Sequence, residues 1–290
     1  MAQRLWRADG AFDFSQPVGE QSLIPPESVS WRIFNNPVSA FVGGVAAVIL
    51  ELAEPSVRSG VWGHSRFRGE AANRLQRTGM ATMMTIYGAH SDAAKMIAAV
   101  VRRQAKVTGT TADGRDFHAN DVEFRNWVQA TVTFGFAHAY SRYVHPLGDA
   151  RLSRAFAEAQ PVARLYGAVG TPISLAQWWA LLGRTEERLE ASPLVFDFLK
   201  MMQDVPLLSR PLRPLQRLMI RGAIEIVPPS VRVRLGLDNR CGLRMGEETI
   251  LRQVAKLAEN LTLRSSPAVQ ACRRLGLPED YLSGQLPVVL

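Results

Sequence analysis

Apolar residues along this chain recur every three or four positions, which is the spacing of amphipathic helices, whereas the strict alternation that indicates strands is rare. The pattern predicts helices over residues 37–53, 71–87, 91–107, 121–144, 148–160, 174–190, 192–203, 211–225 and 246–262. Glycine or proline separates many of these segments, with Gly88, Gly109 and Pro161 at predicted helix ends. Asn120, followed by Glu123 three residues later, favours a capped helix start. The sequence therefore predicts an all-α protein.

The predicted helix 121–144 is apolar on almost every side, and a helix without a polar face belongs at the centre of a domain. Gln129 and His138 are polar members of this helix. Each needs a partner, because an unpaired buried polar group costs about 1–3 kcal/mol. Two interpretations of His138 stay open: a core histidine with a hydrogen-bond partner, and a ligand.

The chain has 290 residues, of which 47% are hydrophobic, and is long enough to form a core without staples. Cys241 and Cys272 provide neither a disulfide framework nor a metal-ligand spacing. The N-terminal residues lack the apolar segment of a secretory signal. The most hydrophobic run, residues 40–50, ends at Glu51 and is shorter than the roughly twenty residues of a membrane span. We therefore expect a cytoplasmic protein.

The net charge of +8 and the pI of about 10.1 raise the question of an anionic partner. The surplus is mostly arginine spread along the chain, without the dense basic cluster and exposed aromatic residues that favour nucleic acid. We therefore expect no nucleic-acid partner. Phased arginines occur only in residues 210–221, where Arg210, Arg213, Arg217 and Arg221 form a helical stripe. This stripe indicates either a solvated helix face or a peripheral membrane contact.

Sequence motifs for common enzyme chemistry are missing, including the phosphate loop, the dinucleotide fingerprint and the nucleophile elbow. The histidines, which show no helical metal-binding pair, are His64, His90, His118, His138 and His145. One pattern is unusual for a segment built for a core. In the predicted helix 71–87, Arg74 and Thr78 lie one turn apart on the same face. They mark either a solvated helix end or a buried polar site.

Three stretches in order carry a resemblance to a known family. They are VILELAEPSVRSGVWGHSRFR (48–68), RLQRTGMATMMTIYG (74–88) and VRRQAKVTGTTADGRDFHANDVEFRNWVQATV (101–132). Together they resemble the catalytic domain of MpaB-type oxygenases and bacterial rubber oxygenases, the latex-clearing proteins. The later pieces YVHPLG, RLYGAVGTPIS and VPPSVRVRLGL are similar to that family as well.

The resemblance implies a division of the chain and a fold. It covers about residues 30–240, which we expect to form a single multi-helix domain with a globin-like core. Residues 1–29 would be an N-terminal extension. Residues 241–290 would be a C-terminal helical extension packed on the same domain.

The resemblance also implies an activity. Characterised members hold a b-type heme that activates dioxygen and oxidatively cleaves carbon–carbon double bonds of isoprenoid chains. The resemblance therefore predicts a heme-dependent oxygenase with heme b, dioxygen and a hydrophobic, isoprenoid- or polyketide-like substrate. It places Arg74 and Thr78 beside the heme and Arg77 at a position that is basic in rubber oxygenases. A guanidinium pairs well with a heme propionate, and the threonine hydroxyl could donate to iron-bound oxygen.

The sequence departs from the family at the positions of its histidines. Gln104 stands where the axial histidine is expected, Glu54 precedes proline where the family has histidine, and Gln129 replaces the histidine of "WVHAT". His64 keeps its place in "GHSRF". A neutral glutamine is a poor iron ligand compared with imidazole. These replacements predict a remodelled site and leave the metal ligand open.

Under a first hypothesis the protein still uses heme, and another residue ligates iron. The candidates are His64, His118 and His138. The guanidinium of Arg74 and the hydroxyl of Thr78 would then face an enclosed central pocket.

Two further hypotheses dispense with heme. In one, the protein is a hydrophobic-ligand binder or an interaction protein, in which Glu54, Gln104 and Gln129 form a polar cluster with Arg74. In the other, Glu54 serves as a general acid or base of a heme-free enzyme.

Overall fold

The computed structural model describes residues 12–62, 71–111, 114 and 116–283, and gives only the backbone for residues 61–62 and 71–76. The helices are α1 (Val29–Asn35), α2 (Pro37–Ala53), α3 (Pro55–Trp62), α4 (Ala71–Tyr87), α5 (His90–Gln104), α6 (Val122–Tyr143), α7 (Asp149–Leu165), α8 (Leu175–Thr185), α9 (Pro193–Asp204), α10 (Arg213–Ile226), α11 (Pro229–Arg234), α12 (Glu247–Glu259) and α13 (Pro267–Arg274). A short antiparallel hairpin, β1 (Thr108–Thr110) with β2 (Asp116–His118), follows α5. The predicted all-α fold and its single multi-helix domain are confirmed. The globin-like core stays a prediction.

Two predicted helix ends were wrong. Pro161 lies inside α7, which continues to Leu165. This is tolerated because Pro161 and Ala157, whose carbonyl loses its donor, are both exposed. Gly109 lies in β1 and ends no helix.

The predicted capping residue of α6 was also wrong. Asp121 holds the cap position, and its carboxylate accepts the backbone N–H of His118 at 3.1 Å. The side-chain oxygen of Asn120 instead accepts a hydrogen bond from the guanidinium of Arg125. The side-chain oxygen of Asn120 is therefore occupied by Arg125 and does not cap the backbone N–H groups of α6.

The centre of the fold is the antiparallel pair of α2 and α6. A Cβ placed on Gly43 would lie 2.6 Å from the Cα of Phe136, and one on Gly135 would lie 2.5 Å from the carbonyl oxygen of Gly43. Further along the pair, the indole of Trp127 donates to the carbonyl of Leu50 at 3.2 Å. Two glycines thus let the helix backbones touch, which confirms the predicted central position of helix 121–144.

An aromatic layer covers one side of α6. Trp178 of α8 is fully buried, and its ring stacks on Phe134 with 4.5 Å between centroids and on Trp127 with 5.8 Å. Phe156 of α7 also stacks with Trp178, with 6.2 Å between centroids. Helices α7 and α8 therefore seal this side of the central helix with rings.

The residues that precede α1 and those that end α13 lie together. Arg274 is 1% exposed, and its guanidinium donates to the carbonyl oxygens of Phe14 (2.7 Å), Glu20 (2.8 Å) and Tyr87 (2.8 Å), and to the hydroxyl of Ser22 at 2.6 Å. One buried guanidinium therefore joins the N-terminal segment, the end of α4 and the C-terminal helix.

Taken singly, no helix in the described part of the chain is both long and apolar enough to cross a bilayer. Helices α1 and α2 together reach that length and composition, but they meet at a bend of 97°.

Candidate functional site

Helix α4 carries the arginine and threonine to which the resemblance gives a role. Thr78 and Arg77 are exposed, and continuous burial of α4 starts only in the turn after Met80. Thr78 therefore does not meet the expectation of an enclosed position, because it lies before the packed part of the helix. The side chain of Arg74 and the whole of His64 fall outside the described residues.

Glu54 is buried between α2 and α3, where it begins the shorter helix. Its carboxylate Oε2 accepts the backbone N–H of Val57 at 2.8 Å, and its carbonyl accepts the N–H of Arg58 at 2.8 Å. Pro55 occupies the first helical position, where its missing N–H costs nothing. Sequence reasoning missed this cap, although an acidic residue before proline is a signal for a helix start. The role of Glu54 as an acid or base stays a prediction.

The other two replaced histidine positions lie in separate places. Gln104 ends α5, and its carbonyl accepts the N–H of Val107 at 2.9 Å. Gln129 is half-buried two turns into α6. Within residues 12–62, 71–111 and 116–283, no hydrogen bond joins Glu54, Gln104 and Gln129. These three residues therefore do not form the hypothesised polar cluster among themselves.

His138 faces away from Gln129. Nine residues along an α-helix are two and a half turns, so the two side chains leave α6 on opposite sides. The imidazole packs against the ring of Phe134 with 4.1 Å between centroids and a tilt of 35°, and the ring of Trp179 meets it edge-on at 6.2 Å. Its Nε2 is buried, with no hydrogen-bond partner in the described part of the chain. Burial lowers the pKa of His138 to about 4, with a small opposing effect of Asp149, so the ring is neutral at physiological pH.

The described histidines do not fit the role of iron ligand beside Arg74 and Thr78. His118 and His90 are exposed, and His145 binds the Glu259 carboxylate through Nε2 at 2.8 Å. The Nε2 of His138 is enclosed on the side of α6 opposite Gln129. In the described portion, no three of the His, Cys, Asp and Glu residues could together hold a metal ion. Gln104 offers only an amide, which is a poor iron ligand, so the described residues do not fit heme b.

The buried imidazole makes the stability of the protein depend on pH. The unfolded chain protonates His138 near pH 6.5 and the folded protein near pH 4, so the unfolded state gains the proton first as the pH falls. We expect the free energy of unfolding to fall by about 2 kcal/mol between pH 6.5 and pH 4 through this residue. In His138→Phe this part of the slope should vanish, as urea unfolding across that range would measure. An equal slope in both proteins would contradict the assignment.

A half-buried strip runs along one side of the central helix pair and was missed by sequence reasoning. We call it the α2–α6 flank, and it consists of the half-buried Phe41, Gly44, Val48, Gln129 and Val132 together with the buried Phe136. The three α2 members and the three α6 members each follow the i, i+3, i+7 spacing of one helix face. A Cβ on Gly44 would meet the ring of Phe136 at 3.5 Å, so the two faces adjoin.

The α2–α6 flank has the composition of a site for an apolar molecule. The ring of Phe34 stacks on Phe136 at 4.4 Å and closes one end. Gly44 leaves the space above it open except for ordinary contact with Phe136. The amide of Gln129 is the polar group on the strip. Apolar walls with one polar group are typical of small-molecule sites, in which the polar group fixes orientation.

A protein-family model matches most of the chain. The model described as "ER-bound oxygenase mpaB/B'/Rubber oxygenase, catalytic domain" matches residues 31–260, more than three quarters of the chain. Neither the curated proteins nor the solved structures gave a significant match.

Proposed function

The chain belongs to this family of oxygenase catalytic domains, and from that premise we propose that it binds an apolar small molecule, of isoprenoid or polyketide type, on the α2–α6 flank without heme b. The observation that carries the proposal is the half-burial of Phe41, Val48 and Val132 on the two most central helices. Apolar side chains at such a position gain about 25 cal/mol for each Å² that a ligand removes from water.

The residues of the flank would divide the work of binding. Val48 and Val132 supply apolar contact, and Gly44 leaves room for the ligand beside Phe136. Gln129 can donate to or accept from a hydroxyl or carbonyl at the polar end of the molecule. The chemistry of oxidation is a family-level assignment, and the described side chains supply binding and orientation.

A second candidate is the heme-dependent oxygenase that the resemblance implies, and the family match over residues 31–260 favours it. Heme b would supply the activation of dioxygen when bound. Its iron would need an imidazole other than the enclosed His138, which leaves His64. The substrate would be the same class of hydrophobic molecule.

The proposal can be tested by placing a larger side chain on the α2–α6 flank. In Gly44→Leu the new side chain occupies the open space above Gly44, whereas Gly44→Ala adds a methyl group at an ordinary contact distance of 3.5 Å. With retinol, a fluorescent isoprenoid alcohol, we expect the Kd of Gly44→Leu to rise at least about tenfold and that of Gly44→Ala to stay within about twofold. Titration of retinol fluorescence measures both values.

The matched control adds the same side chain elsewhere. Ala98→Leu places a leucine on the exposed face of α5 and should leave retinol binding unchanged. Wild-type affinity in Gly44→Leu would contradict the site. An absorption spectrum of protein from cells supplied with heme precursor should lack a Soret band. A band that disappears in His64→Ala would instead establish the heme-dependent candidate.

A further inference from the structure

Helix α12 and its ends expose large apolar side chains in a row. We call this row the α12 stripe, and it consists of Met245, Ile250, Leu257 and Leu261. Ile250 is 55% exposed, Leu257 67% and Leu261 63%. Ile250 and Leu257 are seven residues apart and lie on one side of α12, Met245 precedes the helix, and Leu261 follows its C-cap. Large apolar side chains exposed together on one element favour an interaction surface.

The opposite side of α12 is firmly held, so the exposure of the stripe is a property of the packed fold. Leu251 and Ala255 are fully buried against the core. The backbone carbonyl of Ala255 accepts a hydrogen bond from the amide of Asn36 at 2.8 Å. A helix with a fixed inner face cannot rotate to hide Ile250 and Leu257.

The acidic residues of α12 are all engaged by other side chains of the protein. Glu247 pairs with Arg221, with 2.9 Å between Oε2 and Nε. Glu248 accepts the guanidinium of Arg142 at 2.9 Å, and Arg252 contacts it from the outside at 2.7 Å.

The third carboxylate, Glu259, is only 15% exposed and accepts hydrogen bonds from the Tyr140 hydroxyl and the His145 imidazole, each at 2.8 Å. Two cations beside the stripe lack such a partner. Arg244 and Lys256 are exposed and have no carboxylate at ion-pair distance within the described residues, whereas Arg264, beyond the end of the stripe, pairs with Glu279 at 3.4 Å. An apolar row with cations beside it matches a surface of anionic headgroups over acyl chains.

We propose that the α12 stripe docks the protein peripherally on an anionic lipid membrane, with Ile250, Leu257 and Leu261 in the headgroup boundary and Arg244 and Lys256 against the headgroups. A second copy of the chain is the less favourable occupant. Its stripe would bring the same cations face to face, on a protein of net charge +8.

The phased arginines of α10 can add positive charge to this surface, but α10 offers no exposed large apolar side chain that could insert into the membrane. Arg213 and Arg217 are exposed, whereas Leu218, Met219 and Ile220 are buried in the core. The proposed contact through residues 210–221 would therefore be electrostatic alone. Arg221, one turn after Arg217, reaches the first turn of α12 through Glu247.

The test is co-sedimentation of the full chain with vesicles. We expect the protein to bind vesicles of equal parts phosphatidylcholine and phosphatidylserine, and to bind vesicles of phosphatidylcholine alone at least about tenfold more weakly. In Leu257→Ser with Leu261→Ser, affinity for the mixed vesicles should fall at least about tenfold, because the insertion of two side chains is lost. In Lys256→Gln it should fall about fivefold, and added salt should abolish that difference.

A matched control removes an equally exposed apolar side chain elsewhere. Val169→Ser, between α7 and α8, should leave vesicle binding unchanged. All of these positions are exposed, and thermal unfolding would verify that each variant folds. Absence of binding to the mixed vesicles would overturn the proposal, as would full binding by the double variant. A dimer in sedimentation equilibrium that the double variant loses, without vesicle binding, would assign the stripe to a second copy instead.

Discussion

Replacement of Gly135 by alanine is expected to lower the free energy of unfolding by roughly 3 kcal/mol or more. The new Cβ would lie 2.5 Å from the carbonyl oxygen of Gly43 and 3.2 Å from the backbone nitrogen of Ala47. Both atoms belong to the backbone of α2, so no side chain can turn aside to make room. The helices must separate, and overpacking of a dense core costs 1–3 kcal/mol or more. Urea unfolding followed by circular dichroism measures the loss.

The neighbouring glycine provides the control for this close approach. Gly44→Ala is in the same helix, but its Cβ would make only an ordinary contact of 3.5 Å with the ring of Phe136. Alanine also favours a helix over glycine by up to about 1 kcal/mol, so this variant should be as stable as wild type or more stable. Equal stability of Gly135→Ala and Gly44→Ala would show that backbone contact does not limit the pair.

Long helices were predictable from sequence because two or more turns of spacing specify a buried face. The bounds of α2 and α4 coincide with the predicted segments 37–53 and 71–87. Short elements contain too few residues to show a hydrophobic periodicity. Helices α1 and α11 have seven and six residues, and the strands of the hairpin have three each. Their structure is set by caps, prolines and packing of the surrounding chain.

The close contact of α2 and α6 could not be predicted from the sequence. The sequence contains Gly43, Gly44 and Gly135. No local sequence feature distinguishes Gly43 and Gly135, which contact the backbone of the other helix, from Gly44, which does not. The difference depends on which sides of two helices meet, across more than ninety residues of chain. Long-range packing of this kind is invisible to helical periodicity.

Sequence reasoning singled out one residue of the α2–α6 flank, Gln129, but not the surface on which it lies. The resemblance marked Glu54, Gln104 and Gln129 as replaced histidines, yet one caps α3, one ends α5 and one lies on the flank of α6. The separation of Gln129 and His138 by nine residues already placed them on opposite sides of one helix. Exposure of Thr78 depends on where the packed part of α4 begins, which only tertiary structure specifies.

The two proposed surfaces would serve a common purpose if both hold. An apolar molecule of isoprenoid type partitions into lipid, so a protein held at a membrane by the α12 stripe would meet its ligand at high local concentration. The experiments keep the proposals apart. Leu257→Ser with Leu261→Ser should lose vesicle binding and keep retinol binding in solution, whereas Gly44→Leu should do the reverse.

The buried guanidinium of Arg274 gives the other large expected effect. Arg274→Met keeps a side chain of similar length but leaves the carbonyl oxygens of Phe14, Glu20 and Tyr87 without their donor. Each buried acceptor left unpaired costs about 1–3 kcal/mol, and we expect a total loss of roughly 4 kcal/mol. Urea unfolding measures this loss, and limited proteolysis should show earlier cleavage within residues 12–28.

A variant of the adjacent Arg273 is the control, because it removes one positive charge without breaking the hydrogen bonds of Arg274. Arg273 lies beside Arg274 in α13 but is partly exposed, and its guanidinium pairs with Glu279 at 2.8 Å near the surface. Arg273→Met should therefore cost no more than about 1 kcal/mol.

Arg274→Lys should be intermediate in stability between wild type and Arg274→Met, because one ammonium retains the charge but cannot reach four acceptors with the geometry of a guanidinium. Since burial already lowers the pKa of Arg274, the hydrogen bonds have to offset the cost of enclosing the charge. Equal stabilities for Arg274→Met and Arg273→Met would mean that this network does not hold the two ends of the chain together.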